Sequence, residues 1–344
     1  MFIVRPARAD DLDALQKLSS EAGVGMTSLS IDRERLQEKI AFSLVSFATE
    51  LDAIREEMYL FLMEDSVNGR IAGSCAIENG VGLSQPSYTF KILRLTHSSM
   101  ELERYEPVEA LQMVEEYRGN TEIATLFLSP GYRRDQNGQF LSRSRFLFMA
   151  DFPERLDNRV FAEMRGSQDE RGHSVFWESL GRHFIHMDFS KADYLSSLGS
   201  YQFIADLMPK HPVYIRLLPE AAQKVIGKTH ESTRPALKLL EREGFRYEGY
   251  VDVFDAGPTV HCPLDQIRTV RDSTKDIVGK IVDSLAVESP SYLISNCRLG
   301  EYRIGRGKLY LHPEGTVHLE SELARALRVE TGDRVRYMPM DVRR

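Results

Sequence analysis

Residues 131–149 read GYRRDQNGQFLSRSRFLFM and follow TEIATLFLSP, an apolar run closed by Pro130. An apolar strand, a polar turn and then a helix is the order of a phosphate-binding turn. At such a junction the first helical amides lack intrahelical partners, and the macrodipole presents its positive end. A pyrophosphate settles there if the backbone can approach closely, which is why such turns favour glycine. Gly138 stands at one such place, and Gln136 stands where the first glycine is expected. Gln136 still offers its N–H to an anion provided that its φ is negative. Arg133, Arg134, Arg143 and Arg145 crowd the helix start in an otherwise acidic chain, as a local positive field would require. A plain polar loop before a helix fits the same fragment; the strand and the arginines are what favour the cradle.

His230, in VIGKTHES, is the second group that could do chemistry. It lies between Gly227, a helix terminator, and the capped start of the next helix. A positive helix end nearby keeps an imidazole neutral, as a base must be. Glu231 pulls the other way, because an adjacent carboxylate raises an imidazole pKa. A neutral histidine so placed can accept a proton from a nucleophile and return it to a leaving group. His211, in KHPVY, is a weaker alternative that reads better as a loop residue before proline. Trp177, the single tryptophan, is assigned to the core. No metal-ligand spacing appears.

Composition narrows the partners. The chain has 344 residues, 42% apolar and 28% charged, with a net charge of −7. That is ordinary globular material, long enough for two domains or one large domain with an addition. A net negative chain lacks the field that nucleic acid or an anionic membrane demands. Cys75, Cys262 and Cys297 are sparse and odd in number, which reads as reduced thiols in a cytoplasmic protein. The start, MFIVRPARADD, carries no signal-peptide apolar run, and no stretch is long enough to span a bilayer.

Periodicity then supplies the elements that must hold these groups. FIVRPA reads as a strand ended by Pro6, and a helix follows with Asp10 or Asp11 as cap and Gly23 at its end. SIDRERLQEKIAFSLVSFATE has apolar residues at helical spacing. MYLFLMED and RIAGSCAI flank Asn68-Gly69 as a hairpin. SYTFKILRLTHSS, TEIATLFL and NRVFAEMRG read as strands, and HSVFWESLG as a short helix stopped by Gly181. PEAAQKVIG and STRPALKLLEREGF are helices, the second capped by Ser232 or Thr233 and ended by Gly244, with Phe245 packing back on Leu240. FWESLGRHF and LLEREGFRY share a helix–Gly–aromatic ending, a hint of duplication. YEGYVDVFDAGPTV supplies further strand. Beyond about residue 265 short strands (YLISN, YRIGRGKLYLH, DRVRYMPM) and one helix (ESELARALRVETG) form a β-rich appendage with no evident catalytic group. The whole is a mixed α/β layout.

The opening turn resembles the R/Q-x-x-G-x-G/A loop after the fourth strand of acyl-CoA N-acyltransferases, the GNAT superfamily. More specifically, the chain resembles the arginine N-succinyltransferase family over residues 1 to about 260, and more loosely to its end. The strings that carry this are AEMRG, FWESLGRHF, MDFSKADYL, ADLMPKHPVY, VIGKTH and LEREGFRYEGYVDVFDAGPT. The resemblance implies a GNAT-type α/β (α+β) mixed sheet flanked by helices. Residues 1–200 would be the acyl-CoA-binding core, 201–263 a second half completing the site, and 264–344 the small β-rich region.

It implies succinyl transfer from succinyl-CoA to the α-amine of L-arginine by direct attack in a ternary complex. Succinyl-CoA is the co-substrate, and no cofactor or metal is called for. His230 matches the family's catalytic histidine, although Glu231 follows it where relatives carry proline. Leu126, with Leu128 two residues on, matches the family's succinyl-CoA contact on the fourth strand, read as a backbone contact. Arg133, Arg134 and Gly138 would hold the pyrophosphate. Arg165 is a candidate fork for a substrate carboxylate, and Glu163, Asp206 or Asp255 for the guanidinium. Rival readings are action on ornithine as well, or a non-catalytic subunit of a heteromeric acyltransferase. Homo- or hetero-oligomers are both compatible with the sequence.

Overall fold

A computed structural model describes residues 1–22, 28–29, 32–50, 55–169, 172–197, 201–285 and 289–340. Strand β1 (Phe2–Pro6) leads through a 3-10 turn into α1 (Leu12–Ala22). Asp32 caps α2 (Arg33–Ala48) by accepting the amides of Glu34 and Arg35. The hairpin expected at Asn68-Gly69 joins β2 (Glu57–Asp65) to β3 (Ile71–Asn79), with Gly69 at φ 68°. Strands β4 (Thr89–Ser99), β5 (Arg104–Val114) and β6 (Thr121–Leu128) precede α3 (Asn137–Asp151) and β7 (Arg159–Glu163). Four short helices follow: α4 (Val175–Ser179), α5 (Gly181–Ile185), α6 (Phe189–Ser197) and α7 (Gln202–Leu207).

Next come β8 (Val213–Tyr214), α8 (Glu220–Val225), α9 (Arg234–Glu243), β9 (Arg246–Asp252) and β10 (Pro258–Pro263). The remainder holds α10 (Arg268–Asp272), β11 (Thr274–Val282), β12 (Ser291–Ser295) and β13 (Ile304–His312). It ends with β14 (Thr316–Glu320), α11 (Ser321–Leu327) and β15 (Arg334–Pro339).

The strands form one mixed sheet in the order β12-β15-β11-β14-β13-β1-β2-β3-β6-β7-β10-β9-β4-β5-β8. Described pairs are antiparallel except β6 with β7 and β11 with β14. This is the α/β acyltransferase sheet that the resemblance implied. Because β12 pairs with both β15 and β13, the last five strands also close on themselves. They enclose a core of their own, with Val278, Ile294, Leu309, Val317 and Leu323. The main core lies between the sheet and α3 and contains Phe140, Leu141, Phe146, Leu147, Phe148 and Met149 of that helix. A third packs α4, α5 and α8 around Trp177, the expected core residue, which stacks on Phe254 at 5.4 Å.

Helix α3 is held along its length by the C-terminal region. Asp151 at its end accepts hydrogen bonds from Tyr302 Oη (2.8 Å), Arg336 Nε (2.8 Å) and Ser295 Oγ (2.5 Å). Arg143 donates to the carbonyls of Pro339 and Met340 and pairs with Glu243 at 3.3 Å. Arg145 is equally buried and bonds within its own helix to Ser142. Neither arginine faces the turn. Their expected part in a phosphate field is therefore corrected: α3 is covered on both sides, so its arginines are internal.

Other expectations also change. Strand β5 was not expected, because Pro107 and its charged neighbours argue against a strand. Pro107 lies in the exposed outer half of the β4–β5 ribbon, where losing an N–H is tolerated. Strands β11 and β14 were likewise not foreseen. Gly181 does not stop a helix; it begins α5, and a Cβ there would lie 2.4 Å from the Trp177 ring. Gly244 ends α9 at φ 109°, with the Phe245 amide bonded to the Leu240 carbonyl as expected. The two endings differ physically, so the hint of duplication falls away. The Asp11 carboxylate turns back to Arg5 and the Arg8 amide instead of capping α1. The Thr233 hydroxyl donates to the His230 carbonyl and caps nothing. Gly23, the expected end of the first helix, lies outside the described residues.

Candidate active site

Strand β6 carries the site. Its register with β3 shifts between Ser74 and Ala76, so Cys75 faces both Thr125 and Leu126. Thr125 sits at φ 56°, and Ser74 Oγ donates to its carbonyl at 3.2 Å. A β-branched residue in that region costs about 1–3 kcal/mol, a strain found where surrounding structure enforces it. On the other side, β6 pairs with β7 at Thr121–Val160 and Glu122–Phe161, and no pair is described beyond. The two strands part there, and main-chain groups of β6 beside Leu126 border the fork. The Leu126 side chain itself packs at the edge of the main core.

Beyond Leu128 the chain makes the expected turn. Arg133 Nε donates to the Leu128 carbonyl at 2.9 Å, so Leu128 anchors the turn's first arginine. Arg134 is exposed and pairs with Asp135 at 3.7 Å. Asp135 and Gln136 take φ 50° and 60°. The condition set for Gln136, a negative φ, is therefore not met: the position demands the left-handed conformation that glycine adopts without strain. Gly138 has a negative φ, and a Cβ built there meets nothing within 4 Å. Nothing inside the chain requires that glycine, and the open space lies at the amino end of α3. The Asn137 amide closes back onto the Arg134 carbonyl at 2.9 Å, and that of Phe140 onto the Gln136 carbonyl.

His230 is placed by three segments that are distant in sequence. Its amide donates to the Arg165 carbonyl at 2.8 Å, and the Gly227 amide donates to the Ala256 carbonyl at 2.9 Å. Asp255, buried in the β9–β10 turn, accepts the amides of Gly166 and Gly257. A Cβ at Gly166 would lie 2.4 Å from Asp255, and one at Gly257 would lie 2.0 Å from the Met164 carbonyl. Glycines at 166 and 257 thus let the end of β7 lock onto the turn. Asp255 is spent on this lock. His230 Nδ1 lies 2.7 Å from Ser232 Oγ and 3.2 Å from the Ser232 amide nitrogen; in the Nδ1–H tautomer it donates to the hydroxyl. Burial and the Arg165 guanidinium pull the imidazole below its ordinary 6.5, outweighing Glu231 and Asp255. The neutral ring is thus favoured by burial and Arg165, and not by the helix end expected from the sequence. Arg165 bonds Gln168 at 2.5 Å, and its buried Nε has no partner among the described residues.

Around the far end of the fork lies a cavity of about 350 Å³ lined with carboxylates. Glu78, Glu122, Glu163, Asp193 and Asp252 all border it, and among the described residues none is in an ion pair. Glu163 is exposed to solvent where it lines the cavity. Burial, reinforced by Glu78, pushes the Glu122 carboxyl up to about 8. Burial with Asp255 nearby pushes Asp193 up to about 7. Glu163 and Asp252 are raised for the same reasons, burial first and neighbouring carboxylates second. Electrostatic neighbours run without a break from Glu78 through Glu122, Glu163 and Asp255 to His230.

Asp206 is not part of this group; it is exposed on α7 and accepts from Gln202. His211 is an exposed residue before β8. Glu78, Glu122, Asp193 and Asp252 were missed. The available signal was a single carboxylate riding on an apolar strand, as in GSCAIEN and TEIATLFL.

Comparison with known proteins gives a consistent picture. The family model described as arginine N-succinyltransferase beta subunit matches residues 2–269, and that of its C-terminal domain matches 277–339. An arginine N-succinyltransferase of Yersinia enterocolitica is 43% identical over 342 residues, covering 99% of this chain and 98% of its own length. One of Escherichia coli is 41% identical over 338 residues, covering 98% and 97%. The solved structure of arginine/ornithine succinyltransferase subunit AI from Pseudomonas aeruginosa matches with a TM-score of 0.90 and 35% identity, covering 99% of both chains.

Proposed function

The chain belongs to the arginine N-succinyltransferase family, and on that premise we infer that it transfers the succinyl group of succinyl-CoA to the α-amine of L-arginine. The observation that carries the assignment of parts is the cavity of carboxylates in no described ion pair, with Asp193 within the field of Arg165 and His230 within that of Arg165 in turn. A substrate with a guanidinium at one end and an amino acid at the other fits that charge pattern. Glu163 and Glu122 take the guanidinium, and Arg165, through its unpartnered Nε, takes the α-carboxylate. The pyrophosphate of succinyl-CoA lies on the turn 133–139, at the amides opening α3 and beside Arg133 and Arg134. Its thioester then reaches the β6 bulge, where main-chain groups at Leu126 polarise the carbonyl. Succinyl-CoA serves as co-substrate, and the scheme asks for no further cofactor or metal. Three free cysteines fit a reducing cytoplasm as the place of the reaction.

The amine nitrogen attacks the thioester carbon, the N–C bond forms and the C–S bond breaks. His230, neutral at the start, accepts the amine proton at Nε2 and delivers it to the departing thiolate. Ser232 serves both states of the ring. Nδ1–H donates to the Ser232 hydroxyl at 2.7 Å in both the neutral and the charged ring, which leaves the Nε2 lone pair free to take the proton. The test is an initial-rate comparison of succinyl-CoA with acetyl-CoA and of L-arginine with L-ornithine. A site that pairs a succinyl carboxylate leaves polar groups unmatched with acetyl-CoA, so kcat/KM should fall by roughly 10³–10⁴. Equal kcat/KM for the two thioesters would overturn the acyl assignment, and no N-succinylarginine product would overturn the function.

A further inference from the structure

We propose that Arg306, in the C-terminal five-strand region, is a positioning residue for the succinyl-CoA turn. Its guanidinium donates through Nη1 to the Asp135 carbonyl and through Nη2 to Asn137 Oδ1 at 3.3 Å. It also lies over the ring of Phe140, 5.9 Å from the centroid. Three consecutive features of the turn and helix start are therefore held by one side chain that comes from about 170 residues further along the chain.

The sequence around Arg306 is built to aim it. Gly305-Arg306-Gly307 lies on β13, where side chains alternate between faces. A Cβ at Gly305 or Gly307 would approach Leu323 of α11 to 2.9 or 2.8 Å, so the glycines let α11 pack closely on that face. Arg306 is thereby directed to the opposite face, toward the turn. Ladder pairing fixes the strand on both sides, Gly305 to Ile3 of β1 and Arg306 to Leu293 of β12.

What Arg306 holds is the least comfortable part of the turn. Asp135 and Gln136 are successive left-handed residues, neither of them glycine. Such residues persist only where their surroundings over-determine them. In a trans peptide the C=O and the following N–H point in opposite directions. Fixing the Asp135 carbonyl on Arg306 therefore fixes the direction of the next N–H and the plane of the whole turn. Where the turn lacks glycine at 136, Arg306 supplies by a hydrogen-bonded fork the conformation that glycine would adopt unaided.

The inference rests on reading residues 133–139 as the pyrophosphate turn, and the experiment separates the two. Four full-length variants would be compared with the native protein: Arg306→Met, Arg306→Lys, Arg306→Met with Gln136→Gly, and Gly138→Glu. The measurements are KM for succinyl-CoA, KM for L-arginine and calorimetric Kd for CoA. Arg306→Met should raise the succinyl-CoA KM and the CoA Kd by roughly tenfold, the scale of losing one oriented charged hydrogen bond. The L-arginine KM should stay within about twofold by the same scale. Arg306→Lys keeps the charge without the fork and should recover only part of the loss. Adding Gln136→Gly should restore CoA affinity, because glycine holds the left-handed turn by itself. Failure of that rescue would mean that Arg306 touches the phosphates directly, and would overturn the positioning role. Loss of CoA and arginine affinity together would overturn it as well. Gly138→Glu places a carboxylate in the open space at the helix start and should abolish CoA binding. If it does not, the turn reading itself fails; if it does while Arg306→Met is silent, only the role of Arg306 fails.

Discussion

The two ends of β6 are built on opposite plans. At its carboxyl end the turn into α3 has each charged side chain held by a partner while positive charge stays in excess: Arg134 faces Asp135, Arg133 bonds the Leu128 carbonyl, and Arg306 holds the Asp135 carbonyl. What that end offers a ligand is backbone amides, the helix dipole and the excess positive charge of its arginines. At the amino end Glu122 opens into a cavity shared with Glu78, Glu163, Asp193 and Asp252, where among the described residues no ion pair holds the carboxylates and Lys39 offsets Glu122 only in part. The first end is complete as it stands and accepts an anion without rearranging its own ion pairs. The second is incomplete, and every carboxylate in it is easier to ionise once a cation arrives. An eight-residue strand spans roughly 25 Å, with the strained bulge at Thr125 between its ends. On the proposed reading, the anionic and the cationic substrate come to one strand from opposite directions and react where they meet.

The largest effect is expected at that meeting point. His230→Gln keeps a polar side chain in the loop but cannot carry a proton, so kcat should fall by roughly 10²–10⁴. The KM values for both substrates should change little. In the native protein kcat/KM should rise with pH through a group below the ordinary histidine value, since burial and Arg165 hold the imidazole down. That limb should vanish in the variant. A near-native kcat with the limb intact would make His230 a loop residue and leave the two ends of β6 without a proton carrier between them.

The next effect separates the two ends. Glu163→Gln removes a cavity charge without changing shape, and a hydrogen bond to a charged group is worth about 1.5–3 kcal/mol. The L-arginine KM should therefore rise by roughly 10–100-fold while that for succinyl-CoA stays unchanged. A parallel rise in both would show that the cavity and the turn do not serve separate substrates.

How far the sequence foretold each end follows from the same contrast. The turn is local: a strand closed by Pro130, a polar stretch and a helix lie within thirty residues, so its place was legible. Its conformation was not, because the sign of φ at Gln136 is imposed by Arg306, far along the chain. Arg143 and Arg145 were misread for a related reason. Nothing local in LSRSRF marks these positions as inward: α10 and the C-terminal strands, distant in sequence, cover Arg143, and Arg145 is buried beside Cys75 of β3. The cavity was scarcely legible at all, since its carboxylates come from β3, β6, β7, β9 and α6. Each alone looks like an ordinary polar residue on an apolar strand or a short helix. Gly166, Gly227 and Gly257, by contrast, stand in the strings that carry the family resemblance, and they are the residues that fit the site's segments together.

The smallest effect tests whether the cavity is truly short of a cation. Glu122 is pushed up to about 8 by burial and by Glu78, against an ordinary 4.5. Between those values the folded chain retains a proton that the unfolded chain has lost. Its contribution to stability is therefore full below about pH 4.5 and is lost as the pH rises through about 8. Glu122→Gln is neutral at every pH and escapes that loss. At pH 5 the variant and the native protein should melt together; at pH 9 the variant should melt higher by roughly 1–3 °C. Binding should move the other way. In the native protein the L-arginine KM should fall as the pH rises and Glu122 ionises, and in the variant that fall should be blunted. A carboxylate already satisfied by the fold would give the reverse result, a variant less stable at pH 9 with an unaltered arginine profile. The cavity would then be as fully partnered as the turn, and the contrast between the two ends of β6 would disappear.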